Sequence, residues 1–266
     1  MRYVELRPSA DLVRDVECIW ELEGRGDVLA KPIFPDGRVE IVVHLGARPR
    51  RLGEASAQPE VLVVGQMTTA LRLLPAPGVN AVGIRFTPAG ARAWLGAPLV
   101  ECTDAINSLD QVDRHLAASI SDAMRCGGLE PPCGALEAAL RQTHKARWTP
   151  SRALEHAVQI ALVRHGRIRV GAMAASAGIG VRQLERQFIE AVGLSPKAFL
   201  RTARLQRALR LLRGGEPPAG VAEACGFADQ AHLAREFRSV AGVPAREVRF
   251  GGLAFLSDPS HQAGIG

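Results

Sequence analysis

Ala174-Ala175-Ser176-Ala177-Gly178-Ile179, then Leu184-Glu185-Arg186-Gln187-Phe188 and Gly193, is matched later by Ala222-Glu223-Ala224-Cys225-Gly226-Phe227, then Leu233-Ala234-Arg235-Glu236-Phe237 and Gly242. Both copies read A-x3-G-apolar, then L-x-R-x-F-x4-G, the second with one extra residue in its turn. The pattern predicts two helix-turn-helix units. In each, a short first helix (170–177, then 218–225) buries small residues so that a second helix can cross it closely. Gly178 and Gly226 supply the backbone freedom for the turn. Leu184 with Phe188, and Leu233 with Phe237, lie one helical turn apart and face the core. That groups Arg182, Glu185 and Arg186 on the opposite side of the first unit's second helix, and Ala231, His232 and Arg235 on the second's. Any helix that ends in Gly can show A-x3-G; completion by L-x-R-x-F in two copies makes the repeat specific.

Charge is distributed unevenly around this repeat. Residues 1–150 carry 17 Lys and Arg against 18 Asp and Glu, a net −1, whereas residues 151–266 carry 16 against 9, a net +7. A basic C-terminal part suits a polyanionic partner, although a basic face can also be merely solvated. The 266 residues allow two domains, and at 47% hydrophobic each can bury a core. No apolar run reaches the length of a membrane span, and the N-terminus lacks a signal-peptide pattern, so a cytoplasmic protein is expected. Cys18, Cys102, Cys126, Cys133 and Cys225 are odd in number and form no C-x-x-C. Reduced thiols are therefore expected rather than a disulfide framework or zinc site.

The first part of the chain reads as strands. In Val16-Glu17-Cys18-Ile19-Trp20-Glu21-Leu22-Glu23, strict alternation puts Val16, Cys18, Trp20 and Leu22 on one face with mostly acids opposite. Pro35-Asp36-Gly37 is a turn signal leading into the β-branched run Val39 to Leu45. Residues 61–64, 71–74 and 79–86 read as further strands, which suits a small barrel or sandwich. Thr87-Pro88 predicts a helix start, and that helix ends near Gly96. Leu109, Val112, Leu116 and Ile120 recur at helical intervals and predict one helix over 109–126, broken by Gly127-Gly128-Leu129-Glu130. Another helix is expected over 134–145.

At the repeat the chain resembles the AraC family of bacterial transcription regulators. The stretch from Val221 to Arg238, with Gly242, Pro244 and Arg249 after it, is similar to that family's signature. The resemblance implies two helix-turn-helix units joined by a long helix, here 196–213, with Phe199, Ala203, Leu209 and Leu212 as its buried face. It also implies sequence-specific binding to double-stranded DNA through two recognition helices in successive major grooves. Arg182, Glu185, Arg186, Gln230, His232 and Arg235 would be the DNA-binding residues. Arg can donate two hydrogen bonds to guanine, Gln can pair with adenine and Glu can accept from cytosine. The N-terminal region loosely resembles the sensing domains found ahead of this module, through residues 35–46 and 83–88.

The expected fold is thus α+β. A β-rich, cupin-like barrel or sandwich over 1–105 would sense a small-molecule effector, with a helical connector over 106–150. An AraC-type DNA-binding domain over 151–252 and a tail over 253–266 complete the chain. RNA polymerase and a second copy of the chain are further partners that the family analogy suggests; no membrane partner is expected. No cofactor, metal or catalytic residue is expected. His44 has no H-x-H beside it, the cysteines are not paired, and Gly24-Arg25-Gly26 and Gly178-Ile179-Gly180 do not continue as phosphate loops. Two alternatives stand beside the effector-responsive regulator: a constitutive DNA binder whose N-terminal domain only dimerises, and a DNA-targeted enzyme on the β domain.

Overall fold

The alternation in residues 16–23 forms a strand, though not quite with the expected faces. The computed structural model describes residues 2–24, 32–74, 76–126, 131–143 and 148–242. Arg25-Gly26, the Gly127–Glu130 break, Lys145, Pro244, Arg249 and the 253–266 tail lie outside the described residues. The strands in chain order are β1 (Arg2–Leu6), β2 (Val16–Glu23), β3 (Pro32–Ile33), β4 (Glu40–His44), β5 (Val61–Val64), β6 (Leu71–Arg72), β7 (Asn80–Phe86) and β8 (Ile106–Ser108). The helices are α1 (Ala91–Trp94), α2 (Leu109–Val112), α3 (Arg114–Cys126), α4 (Pro132–Thr143), α5 (Arg152–Val163), α6 (Val170–Ser176), α7 (Val181–Ala191), α8 (Pro196–Arg213), α9 (Pro218–Cys225) and α10 (Gln230–Ala241). A 3-10 turn covers Leu99–Cys102.

Six strands form an antiparallel sheet in the order β1-β2-β7-β4-β5-β8, and β3 pairs with β6 in a small second sheet. The chain is α+β, β-rich at its N-terminal side and helical at its C-terminal side. Cys18, Trp20 and Leu22 share a face with Val42, Leu62 and Ala81. Val16 does not: the register slips between Val16 and Cys18, and Val16 turns to the other face with Ile19, Ile41 and Ile84. An extra residue in one strand re-aims the side chains on either side of it, which periodicity alone cannot reveal. That second face is covered by α3 and α4 through Leu116, Ile120, Leu136 and Leu140. Burial on both faces explains why β4 reads as a continuous apolar run around Ile41-Val42-Val43.

The helix expected over 109–126 is two helices. Asp113 takes extended backbone, and its Oδ1 accepts the amides of His115 and Leu116 at 3.0 Å, starting α3 afresh. The helix start expected at Thr87-Pro88 comes later, at Ala91; Thr87 Oγ1 instead donates to the carbonyl of Arg14 at 3.1 Å. α4 begins at Pro132 rather than at Gly134.

The helical side has two cores with α8 between them. Leu154, Met173, Ala174, Leu184, Phe188 and Phe199 pack in the first, where the Phe188 and Phe199 rings meet edge-on at 5.7 Å. Leu205, Leu209, Leu212, Val221, Leu233 and Phe237 pack in the second. α8 supplies residues to both cores and spans the predicted 196–213. Its start is set by Ser195, whose hydroxyl accepts the Ala198 amide at 3.2 Å, and by Pro196 at the first helical position. Phe199, Leu209 and Leu212 are buried as expected, whereas Ala203 is only half-buried.

Candidate nucleic-acid interface

The repeated A-x3-G-apolar motif is a turn with the same hydrogen bonds in both copies. At the end of α6, Ile179 N–H donates to the Ala174 carbonyl at 3.1 Å and Gly178 N–H to Ala175 at 3.1 Å. At the end of α9, Phe227 N–H donates to Ala222 at 2.9 Å and Gly226 N–H to Glu223 at 3.1 Å. Gly178 (φ +69°) and Gly226 (φ +72°) take left-handed backbone, which glycine adopts without strain. Both motifs are therefore helix stops that satisfy the last carbonyls and turn the chain into the next helix.

That next helix is α7 in the first unit. Leu184 and Phe188 are fully buried, while Arg182, Glu185 and Arg186 are exposed. Gly180 precedes α7 and offers no side-chain cap. In the second unit α10 buries Leu233 and Phe237 and exposes Gln230, Ala231 and Arg235. Asp229 caps α10 through Oδ1, which accepts the His232 amide at 2.6 Å. The structure thus places all three first-unit candidates together on one exposed helix face. In the second unit it exposes Gln230 and Arg235 but leaves His232 half-buried.

His232 has a local role that the sequence did not disclose. Its Nδ1 accepts the Ala228 amide at 3.3 Å, and its ring meets Phe227 edge-on at 5.5 Å. With Nδ1 occupied as an acceptor, a neutral ring carries its proton on Nε2 and can present one donor outward.

The arginines of α8 also have assignable partners. Arg201 bonds Glu236 and Ser239 of α10, and the Arg204 guanidinium lies 5.9 Å from the Phe227 ring centroid. Arg167 reaches from the loop after α5 to the Ala224 carbonyl of α9 at 3.0 Å. These three tie the second unit to the rest of the helical side. A basic residue at helical spacing looks the same in sequence whether it meets a phosphate or a carboxylate, so this division of labour was not legible there.

The β-rich side rests against the helices through the Pro35-Asp36-Gly37 turn. Phe34 packs in the second helical core, and the Pro35 carbonyl accepts from Gln206 of α8. Gly37, at φ +80°, sits so close to Phe199 that a β-carbon would lie 3.0 Å from the ring. Beside this contact a hollow of about 260 Å³ is lined by Asp36 and Arg38 from one side and His165, Phe199, Gln206 and Arg210 from the other. Burial, with Arg207 and Arg210 nearby, holds His165 below the usual imidazole range. His44 is buried elsewhere in the sheet, its Nε2 3.0 Å from Gln58 Oε1, and burial lowers its pKa too.

Known proteins match this chain in two separate stretches. A helix-turn-helix domain model matches residues 173–250, and a domain of unknown function (DUF6597) matches residues 4–108. The HTH-type transcriptional activator RhaS of Escherichia coli (strain SE11) is 35% identical over 86 residues, 32% of this chain and 31% of RhaS. The match with curated relatives such as this one thus spans under a third of their own length. Among solved structures, a Chromobacterium violaceum transcriptional regulator of the AraC-type DNA-binding domain class is 28% identical, with 37% of this chain and 89% of that one covered and a TM-score of 0.35. The DNA-binding domain of AdpA, a global transcriptional factor solved with a target DNA, is 31% identical, with 38% and 92% covered and a TM-score of 0.35. No helix among the described residues is long and apolar enough to cross a membrane. Two copies of one helix stop, each followed by a helix with the L-x-R-x-F core, the helix-turn-helix domain model over residues 173–250 and the similarity to RhaS place the chain in the AraC family of DNA-binding helix-turn-helix transcription regulators.

Proposed function

We propose that α7 and α10 are paired recognition helices that enter successive major grooves of one DNA site, with Arg182, Glu185, Arg186, Gln230, His232 and Arg235 at the contact. The observation that carries this reading is the common orientation of the two repeats. Each buries its Leu and Phe and turns arginine outward from the opposite face. Arg186 and Arg235 occupy equivalent repeat positions, so each helix offers one bidentate donor at the same place. The excess of basic charge in residues 151–266 supports the same reading.

Titration of the full chain with duplex DNA at increasing salt tests it. Affinity should fall linearly on a logarithmic plot, by about 0.9 in slope for each phosphate neutralised. An affinity independent of salt would exclude the electrostatic half of the reading.

The β-rich unit is the regulatory half of the proposal: a small molecule that binds it would alter DNA affinity. Its support is the 35–37 turn, which lies on α8, the helix shared by both DNA-binding cores, next to a hollow lined from both sides. A metabolite screen by thermal shift on the full chain reads this directly, because a ligand specific to the folded state raises stability by mass action.

A further inference from the structure

The two candidate recognition helices end within one residue of equivalent repeat positions, and the β-rich side is hydrogen-bonded to both ends. At α7, the Thr103 hydroxyl donates to the Gly193 carbonyl at 2.6 Å. The backbones approach so closely there that a β-carbon on Gly193 would lie 2.9 Å from the Leu99 carbonyl oxygen. At α10, the Ala70 amide donates to the Val240 carbonyl at 2.7 Å. Neither bond belongs to a helix-turn-helix unit itself.

Thr103 and Ala70 lie on different segments, which the Gly65 amide joins through the Ala105 carbonyl at 3.1 Å and Asp104 couples more tightly. The Asp104 carboxylate accepts the Thr68 amide at 2.7 Å and the Thr68 hydroxyl at 2.6 Å, and the Asp104 amide donates to the Gln66 carbonyl at 2.7 Å. Asp104 makes these bonds from left-handed backbone, φ +57°, which a non-glycine residue holds only where its surroundings fix it. Just before, Gly65 passes Cys102 so closely that a β-carbon would come within 1.7 Å of the carbonyl oxygen. Residues 65–70 and 102–104 are therefore one stiff piece with a contact at either end. α8 already joins the two units through its shared cores. The second connection closes a loop of rigid parts, and a closed loop resists the rotation that a single connecting helix leaves free.

We propose that this bridge, with Asp104 as its positioning residue, sets the relative placement of α7 and α10 and so the spacing the protein accepts between the two DNA segments it reads. The DNA part rests on the reading of α7 and α10 as recognition helices; the placement of the helices does not. The chemistry is local and severable: Asp104→Ala removes both carboxylate bonds to Thr68 and so loosens the 66–70 end of the bridge, while Thr103→Val removes only the hydroxyl that holds α7.

The test uses the full chain with Cys126→Ser and nitroxide labels at Gln183→Cys on α7 and Arg238→Cys on α10, both exposed positions. Electron-electron double resonance should give one narrow distance distribution for the parent, and broader ones for Asp104→Ala and for Thr103→Val. Thr103→Val keeps the result decisive if Asp104→Ala does not fold. Selection from a randomised duplex pool should give a single spacing between two sequence blocks for the parent. For Asp104→Ala the blocks should be unchanged but the spacings several. Distributions as narrow as the parent's in folded variants overturn the bridge. Broadened distributions with no two-block preference in the parent would support the bridge and overturn the reading of α7 and α10 as paired readers.

Discussion

Glu40 and Arg85 stand directly opposite each other on β4 and β7, and Arg85 Nε donates to Glu40 Oε1 at 2.8 Å with both side chains buried. The same guanidinium donates to Glu5 at 2.7 Å and to the Tyr3 hydroxyl at 3.1 Å. One cation thus serves two carboxyls inside the sheet. Replacement by Met would leave buried Glu40 without its partner, and Arg85→Met should lower stability by about 1–3 kcal/mol in chemical denaturation, the range for a buried polar group left unsatisfied.

The same cluster makes stability depend on pH in a particular direction. Burial, opposed by Arg85 and reinforced by Asp36, pushes Glu40 up to about 8. The native state therefore holds a proton that the unfolded chain releases near 4.5. Stability from this group is fully present below the unfolded value and is lost as pH rises through about 8, at no more than about 1.4 kcal/mol per pH unit. Denaturation measured from pH 5 to 8.5 should show this decline in the parent and a flatter profile in Glu40→Gln. Equal slopes in the two proteins would contradict the assignment.

The two turn glycines should respond differently to alanine. Left-handed backbone costs a residue with a β-carbon about 1–2 kcal/mol, and both Gly178→Ala and Gly226→Ala incur that. At Gly178 a β-carbon meets nothing within 4 Å, whereas at Gly226 it would lie 3.3 Å from Arg167 Nε, on the side chain that holds the Ala224 carbonyl. Thermal melts should therefore rank Gly226→Ala as the less stable variant, with Asn milder than Ala at both sites because it visits this conformation more readily.

The repeat was fully legible because its chemistry is local. The A-x3-G-apolar spacing is the hydrogen-bond pattern of a helix stop, and L-x-R-x-F is one buried helix face, so both survive any tertiary context. The span of α8 came from the family resemblance, and the structure shows its start fixed by Ser195 and Pro196. The β-rich side was less so. β3 is two residues long and β8 three, too short for a period to appear, and β1 went unread. The bulge before Cys18 broke an alternation that looked regular. His232 and Arg201 carry ordinary codes for DNA contact, yet their bonds to Ala228 and Glu236 depend on neighbours that only the fold brings near.

Asp229 connects capping to recognition. Its carboxylate holds the first turn of α10, where Gln230 and His232 are carried. Asp229→Ala should cost about 1 kcal/mol of stability. Amide exchange at residues 230–233 should quicken while α7 is unaffected. Unchanged exchange in that turn would show that the packing of Leu233 alone holds it.

The central claim, that two equivalent helices each read bases, is tested most directly by measuring Arg186→Ala and Arg235→Ala against single-base-pair variants of a duplex selected by the parent protein. The account predicts two sequence blocks about one helical turn, ~10 bp, apart. Each variant should lose about 1–3 kcal/mol of discrimination at one or two base pairs in its own block and none in the other. A uniform loss of affinity across all duplexes from both variants would make these arginines phosphate contacts and contradict the claim.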